Sequence, residues 1–221
     1  MSASILVLRP PPNRTAEAAR ALGLDSVEAP IFSVGPLAWE APDPDRFDAV
    51  LLTSANAPRH AGPDLALYLH LPCQAVGETT AEAARAAGFT EIRIGRSDGF
   101  AARAALGPVR VLHLCGREHI QLPEVERRIV YAAEPVATLP EAGVQAIRDG
   151  ALVLLHSPRA AATFAALADQ AGLDRSTIAI AAISPAAVAA AGAGWKLTAA
   201  ASAPRDSALL ELAVQLCQKA P

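Results

Sequence analysis

Short runs of aliphatic and β-branched residues alternate with Ala-rich stretches along the whole chain, the pattern of parallel sheets covered by helices. Residues 5–8 read as a buried strand; Asn13 is placed to cap the following helix and Gly23 to end it. Residues 27–31 read as a second strand. Gly35, Pro36, Pro42 and Pro44 then interrupt any regular pattern, which predicts a linker. A second series opens with a strand at 48–53 and a short helix disturbed by Pro58 and Gly62-Pro63. Strands at 73–76, 91–94 and 109–114 follow, with helices over 78–87 and 99–106 between them. Residues 121–128 are ambiguous because Pro123 sits inside them; 129–131 read as a strand leading to a second linker near Glu134-Pro135. A third series places strands at 152–156, 178–183 and 195–198, and helices over 160–171, after Ser184-Pro185, and over 207–219.

The third series repeats the second. Residues 50–54 correspond to 153–157, residues 75–81 to 182–188, and Ser97-Asp98-Gly99 to Arg205-Asp206-Ser207. The opening strand, with Arg9, has its counterpart at 111–114, with Arg117. One unit therefore has its start at the N-terminus and its remainder after residue 135. The predicted fold class is α/β: two similar parallel-sheet domains with helices on both faces, joined by two adjacent linkers, one domain being discontinuous. Residues 1–34 with 136–221 make the discontinuous domain, 37–131 the inserted one, and 33–38 and 132–136 the linkers. Loops at the carboxyl ends of parallel strands converge in such an arrangement, so a crevice between the domains is the expected ligand site.

Composition narrows the partners. With 52% hydrophobic residues and a net charge of −3, the chain is built for a packed core, and its weak acidity argues against a nucleic-acid surface. No apolar run reaches the roughly 18–20 residues that span a bilayer, and the first residues read as a strand, not a signal peptide. Cys73, Cys115 and Cys217 are odd in number and far apart, which predicts free thiols in a reducing, cytoplasmic compartment. The histidines have no metal-ligand spacing, and neither a Walker loop nor G-x-G-x-x-G follows a strand. No metal and no cofactor are expected.

Candidate chemistry lies at strand-to-helix turns. Thr53-Ser54, Gly77 with Thr79 and Thr80, and Ser157-Pro158 fall where unpaired N–H groups and the positive end of a helix suit carboxylates. Hydroxyls there act as helix caps worth about 1 kcal/mol, as ligands, or as both. Arg9, Arg117 and Arg159 sit just past strand ends, where a guanidinium holds a carboxylate with two hydrogen bonds; Arg9 is the strongest, following the opening strand directly. His156 takes the place of Thr53 in the repeat and should face the crevice.

Leu8-Arg9-Pro10, Leu52-Thr53-Ser54-Ala55-Asn56 and Val76-Gly77-Glu78-Thr79-Thr80-Ala81, followed by Tyr131 and His156-Ser157-Pro158, resemble the landmarks of the uroporphyrinogen-III synthase family. The ordered set covers nearly the full length. The resemblance implies a monomeric lyase without a cofactor, which cyclises hydroxymethylbilane with inversion of its last pyrrole ring in heme biosynthesis. This linear tetrapyrrole carries acetate and propionate groups, for which the resemblance implies contacts at Arg9, Thr53, Ser54, Gly77, Thr79, Thr80, His156, Ser157 and Ser184. Tyr131 is the candidate acid for loss of the terminal hydroxyl, or an aromatic anchor between linker and domain. Three features depart from the family pattern. Ser184-Pro185-Ala186-Ala187 stands where a Gly-Pro followed by Thr is usual, little room remains for a helix between Gly116 and Tyr131, and Pro58 breaks the helix after Ser54 early. The alternative is a non-catalytic relative that senses a tetrapyrrole or small anion on the same scaffold. Neither reading involves nucleic acid or membrane.

Overall fold

The apolar runs become short strands, and the Ala-rich stretches become the helices that cover them. Residues 4–11, 13–95 and 98–219 are described by the computed structural model. The chain begins with β1 (Ser4–Val7), α1 (Arg14–Ala21), β2 (Asp25–Glu28) and β3 (Phe32–Pro36). It continues with β4 (Ala49–Leu52), α2 (Asn56–His60), β5 (Cys73–Val76), α3 (Glu78–Ala87), β6 (Ile92–Gly95), α4 (Gly99–Ala105), β7 (Val111–Gly116) and β8 (Glu126–Pro135). It ends with α5 (Glu141–Arg148), β9 (Leu152–Leu155), α6 (Pro158–Gln170), β10 (Ala179–Ala182), α7 (Pro185–Ala191), β11 (Leu197–Ala200) and α8 (Asp206–Lys219). Two compact units result, one of Met1–Ser33 with Pro135–Pro221 and one of Val34–Glu134.

The first unit holds a five-stranded sheet in the order β11-β10-β9-β1-β2, parallel throughout. In the six-stranded sheet, β3-β8-β7-β4-β5-β6, the run from β8 to β6 is parallel. Read in the sense β6-β5-β4-β7-β8, it repeats the order of the first sheet strand for strand. The added edge strand β3 runs antiparallel to β8: Leu37 N–H donates to the Val130 carbonyl at 2.9 Å and Val136 N–H to the Ile31 carbonyl at 3.0 Å. The sheet is thus not purely parallel, and the linkers expected at 33–38 and 132–136 are largely strand. An edge position explains how Gly35 and Pro36 are tolerated in β3, because only one side of the strand needs ladder bonds.

Alternation along the strands sends side chains to two cores in each unit. Leu6, Val153, Leu155 and Ile180 pack on Val144 and Ile147 of α5 and Phe164 of α6. Ile5, Val7 and Leu154 face the other way, onto Ala16 and Ala19 of α1 and Leu209 and Leu210 of α8. In the second unit Val50, Leu52, Leu112 and Leu114 meet Ala57 of α2, Ala84 of α3 and Tyr68, whereas Leu51 and Val111 meet Ala102 of α4. Every residue of β4 and β9 is buried, as a central strand covered on both faces requires.

Other local differences have simple causes. Pro58 is the third residue of α2, where its missing N–H has no intrahelical partner to lose. Trp195 stacks on Phe164 at 5.6 Å between ring centroids instead of starting a strand, and β11 begins two residues later. The stretch after Pro123 enters β8 at Glu126, without a helix. Helix α5 is an addition that the sequence reading omits; Gly143 lets it close on β2's neighbour Ala29, whose Cβ would lie 2.9 Å from a Cβ at 143. Ser97, matched above to Arg205, lies outside the described residues.

Candidate functional site

In the unit Val34–Glu134, strands β4, β7 and β8 are neighbours; Thr53 and Ser54 follow β4, Gly116 ends β7, and Tyr131 lies within β8. A register shift between Cys115 and Gly116 sets Gly116 opposite Tyr131. A Cβ on Gly116 would stand 2.6 Å from Tyr131 Cζ and 2.8 Å from its hydroxyl oxygen, so the ring's place depends on glycine. The His60 ring lies 6.2 Å from it, centroid to centroid. The Ser54 hydroxyl accepts the Asn56 N–H at 3.2 Å. Burial pushes the Tyr131 pKa up, and the nearby Ser54 hydroxyl pulls it partly back. The phenol therefore keeps its proton at neutral pH.

Thr53 Oγ1 is 3.1 Å from Nε2 of His113, a fully buried side chain in the middle of β7. Burial, then electrostatic repulsion from the side of His119 and Arg127, holds the His113 pKa down at about 4, so the ring is neutral. At the next strand end, Gly77 adopts a φ of +78°, the left-handed conformation that favours glycine, and opens α3 without a side-chain cap. The first N–H groups of α3 therefore receive no hydroxyl from the cap position. Thr79 is half-buried there, and Thr80 is buried at 5% exposure, which turns it toward the core.

The unit built from both chain ends contains a cavity of about 370 Å³ whose lining includes Arg9, Phe32, His156, Ser157, Ile183 and Asp206. Arg9 Nη1 donates to the Thr15 hydroxyl at 3.3 Å, and that hydroxyl lies 3.0 Å from both carboxylate oxygens of Asp206. His156 Nε2–H donates to Asp206 Oδ1 at 3.0 Å, and Arg9 Nη1 is 3.9 Å from the same oxygen. The His156 bond, more than the Thr15 bond and the nearby Arg9 charge, holds the Asp206 pKa below the usual carboxylate value against the opposing effect of burial. Arg9 is thus not committed to a ligand alone, yet its side chain stays 52% exposed. Ser157 caps α6 by accepting the Ala160 N–H at 3.0 Å, and Ser184 caps α7 by accepting the Ala187 N–H at 3.3 Å. Ser184 lies outside the cavity lining. Arg117 pairs with Glu134, and Arg159 lies 4.7 Å over the Phe32 ring.

The structure places Arg9 beside His156, and adds Thr15, His113 and Asp206, which the sequence does not single out as site residues. Two signals were available. Asp98 and Asp206 hold the same place before a helix in both repeats, and His113 interrupts a strand that is otherwise apolar. Among the described residues no cluster of three or more His, Cys, Asp or Glu is arranged to hold a metal ion, and no helix is long and apolar enough to cross a membrane.

Hydroxyls, an arginine and an uncapped helix start at the carboxyl ends of parallel strands define an α/β protein suited to an anionic ligand. The chain belongs to the uroporphyrinogen-III synthase family, whose model, described as uroporphyrinogen-III synthase HemD, matches residues 13–211. It is accordingly a lyase of tetrapyrrole biosynthesis, acting on a small tetrapyrrole substrate. In fold it is similar to the crystal structure of uroporphyrinogen-III synthetase from Helicobacter pylori 26695, with a TM-score of 0.64 and 17% identity over 98% of this chain and 100% of that one. The Thermus thermophilus uroporphyrinogen III synthase matches with a TM-score of 0.45 and 16% identity over 99% of this chain and 100% of that one. No curated protein matches the chain by sequence.

Proposed function

We propose that the chain cyclises hydroxymethylbilane to uroporphyrinogen III with Tyr131 as the acid and the strand-end turns as holders of the substrate's carboxylates. Thr53, Ser54, Gly77, Thr79 and Thr80 serve in one unit, and Arg9, His156, Ser157 and Ser184 in the other. The two units are read as the enzyme's domains, one of them discontinuous, in a cytoplasmic monomer with neither nucleic-acid nor membrane partner.

The observation that carries this reading is the Tyr131 phenol, pressed on Gly116 and kept protonated by burial. The phenol gives its proton to the terminal hydroxyl, which leaves as water, and an electron-poor azafulvene remains. The substituted carbon of the last pyrrole attacks it. The spiro intermediate fragments and recloses with that ring inverted, and loss of a ring proton returns the phenolate to phenol. Pyrroles supply much of this reactivity themselves. The larger contribution of the protein is to hold a flexible chain with its two ends together, an effect of proximity and orientation.

The decisive assay supplies enzymatically generated hydroxymethylbilane and identifies the isomer formed. Isomer III is expected. Accumulation of isomer I alone, the product of unassisted closure, would reduce the protein to a tetrapyrrole binder.

A further inference from the structure

We propose that His113 is a positioning residue that turns the Thr53 hydroxyl outward, as a hydrogen-bond donor for a substrate carboxylate. The inference rests on the reading that Thr53 receives such a carboxylate. His113 sits at 0% exposure among Val111, Leu112, Leu114 and Cys115, and an imidazole placed there costs stability unless it is bonded. Among the described residues its Nε2 has one partner, Thr53 Oγ1 at 3.1 Å. Its Nδ1 is buried and has no hydrogen-bond partner among the described residues.

A neutral imidazole carries its proton on one nitrogen only. Buried N–H groups without an acceptor are rarer and costlier than buried lone pairs without a donor, so the proton belongs on Nε2. Nε2–H then donates to Thr53 Oγ1. The hydroxyl has a single proton of its own, and with His113 acting as the donor that proton must point elsewhere. The other arm of Thr53 is also confined: its Cγ2 lies 3.3 Å from the position of a Cβ on Gly99, a space that only glycine leaves open. His119, with its ring edge-on at 6.4 Å, and Arg127 are the titratable groups around the imidazole, and both oppose its protonation. The imidazole therefore stays neutral across the neutral range. In the repeat, the place of Thr53 is taken by His156, whose Nε2–H is already bonded to Asp206. An outward hydroxyl donor at this turn belongs to one unit only.

The test compares steady-state kinetics on hydroxymethylbilane for Thr53→Val, His113→Leu, His113→Gln and the Thr53→Val/His113→Leu pair. Thr53→Val and His113→Leu should each raise KM about tenfold with kcat within about twofold, the signature of a lost binding contact. The double variant should be no worse than Thr53→Val, because both remove one donor. His113→Gln should recover most of the loss, since its amide N–H reaches the same oxygen. Imidazole ¹⁵N shifts of the wild-type protein should report the Nε2–H form at neutral pH, a readout that packing alone does not dictate. A normal KM for a folded His113→Leu beside a raised one for Thr53→Val, multiplying effects in the double variant, or an Nδ1–H tautomer would each overturn the role of His113 alone. A normal KM for Thr53→Val would overturn the carboxylate reading of Thr53 and this inference with it. Should His113→Leu fail to fold, the glutamine variant and the tautomer still decide.

Discussion

Tyr131 occupies the space in which a side chain on Gly116 would stand, since a Cβ there would fall 2.6 Å from Cζ of the ring. Both residues are paired across β7 and β8, so neither backbone moves easily. The ring is half-buried and gives way more readily than the sheet. Gly116→Ala should therefore displace the phenol at an overpacking cost of about 1–3 kcal/mol. Synthesis of isomer III should slow as much as in Tyr131→Phe, although urea denaturation still shows a cooperative fold. A wild-type rate in Gly116→Ala would separate the ring's place from the chemistry.

Tyr131→Phe keeps the ring and removes its hydroxyl. Turnover should fall on the order of 10²-fold, the low end of what a positioned acid contributes, with isomer I from unassisted closure appearing in its place. Because burial raises the phenol above its ordinary value of 10.0, the proton donor persists throughout the neutral and mildly alkaline range. The wild-type kcat/KM should show no alkaline limb assignable to Tyr131 below pH 10. An unchanged turnover in the phenylalanine variant would retire the acid and leave an anchor.

How much of this was legible in the sequence depends on how local the cause is. Residues 50–52 and 153–155 announce central strands because burial on both faces demands unbroken apolar runs. Asn13, Ser157 and Ser184 announce helix starts because a cap acts within three residues. Gly35-Pro36 leave the local conformation open, since the same dipeptide fits a coil or an edge strand and only the partner strand decides. Helix α5 hides because it is eight residues long with Gly143 inside it, although Val144 and Ile147 lie one turn apart on its buried face. The site is harder still. Thr53 finds His113 across 60 residues and Thr15 finds Asp206 across 191, distances that no motif spans.

His113 makes stability depend on pH in a definite sense. In the unfolded chain it takes up a proton as the pH falls through 6.5, whereas burial keeps the folded form neutral down to about 4. The folded pKa is depressed, so the contribution is complete above pH 6.5 and is lost as the pH falls toward 4. The full shift corresponds to roughly 3 kcal/mol. Urea midpoints measured at pH 7 and pH 4.5 should drop more for the wild type than for His113→Gln, which has no proton to gain. Equal drops would assign the acid sensitivity to another group.

Thr15 and Asp206 offer the complementary case, a carboxylate stabilised in its charged form. Thr15 is fully buried in the first turn of α1, and its hydroxyl reaches both oxygens of Asp206, the first residue of α8. Thr15→Val keeps the shape and removes that bond, which for a charged acceptor is worth about 1.5 kcal/mol, less screening because Asp206 is 34% exposed. The Asp206 pKa should move up toward 3.8, since Thr15 is one of the contacts that lower it. Stability from a depressed carboxylate is present above the unfolded pKa and lost as the pH falls through the folded one. The deficit of Thr15→Val relative to wild type should therefore be full at pH 6 and shrink below pH 3.8. Denaturation curves at pH 6 and pH 3, with the Asp206 carboxyl followed by ¹³C NMR, check both halves; a deficit independent of pH would show that the valine harms packing and leaves the charge untouched.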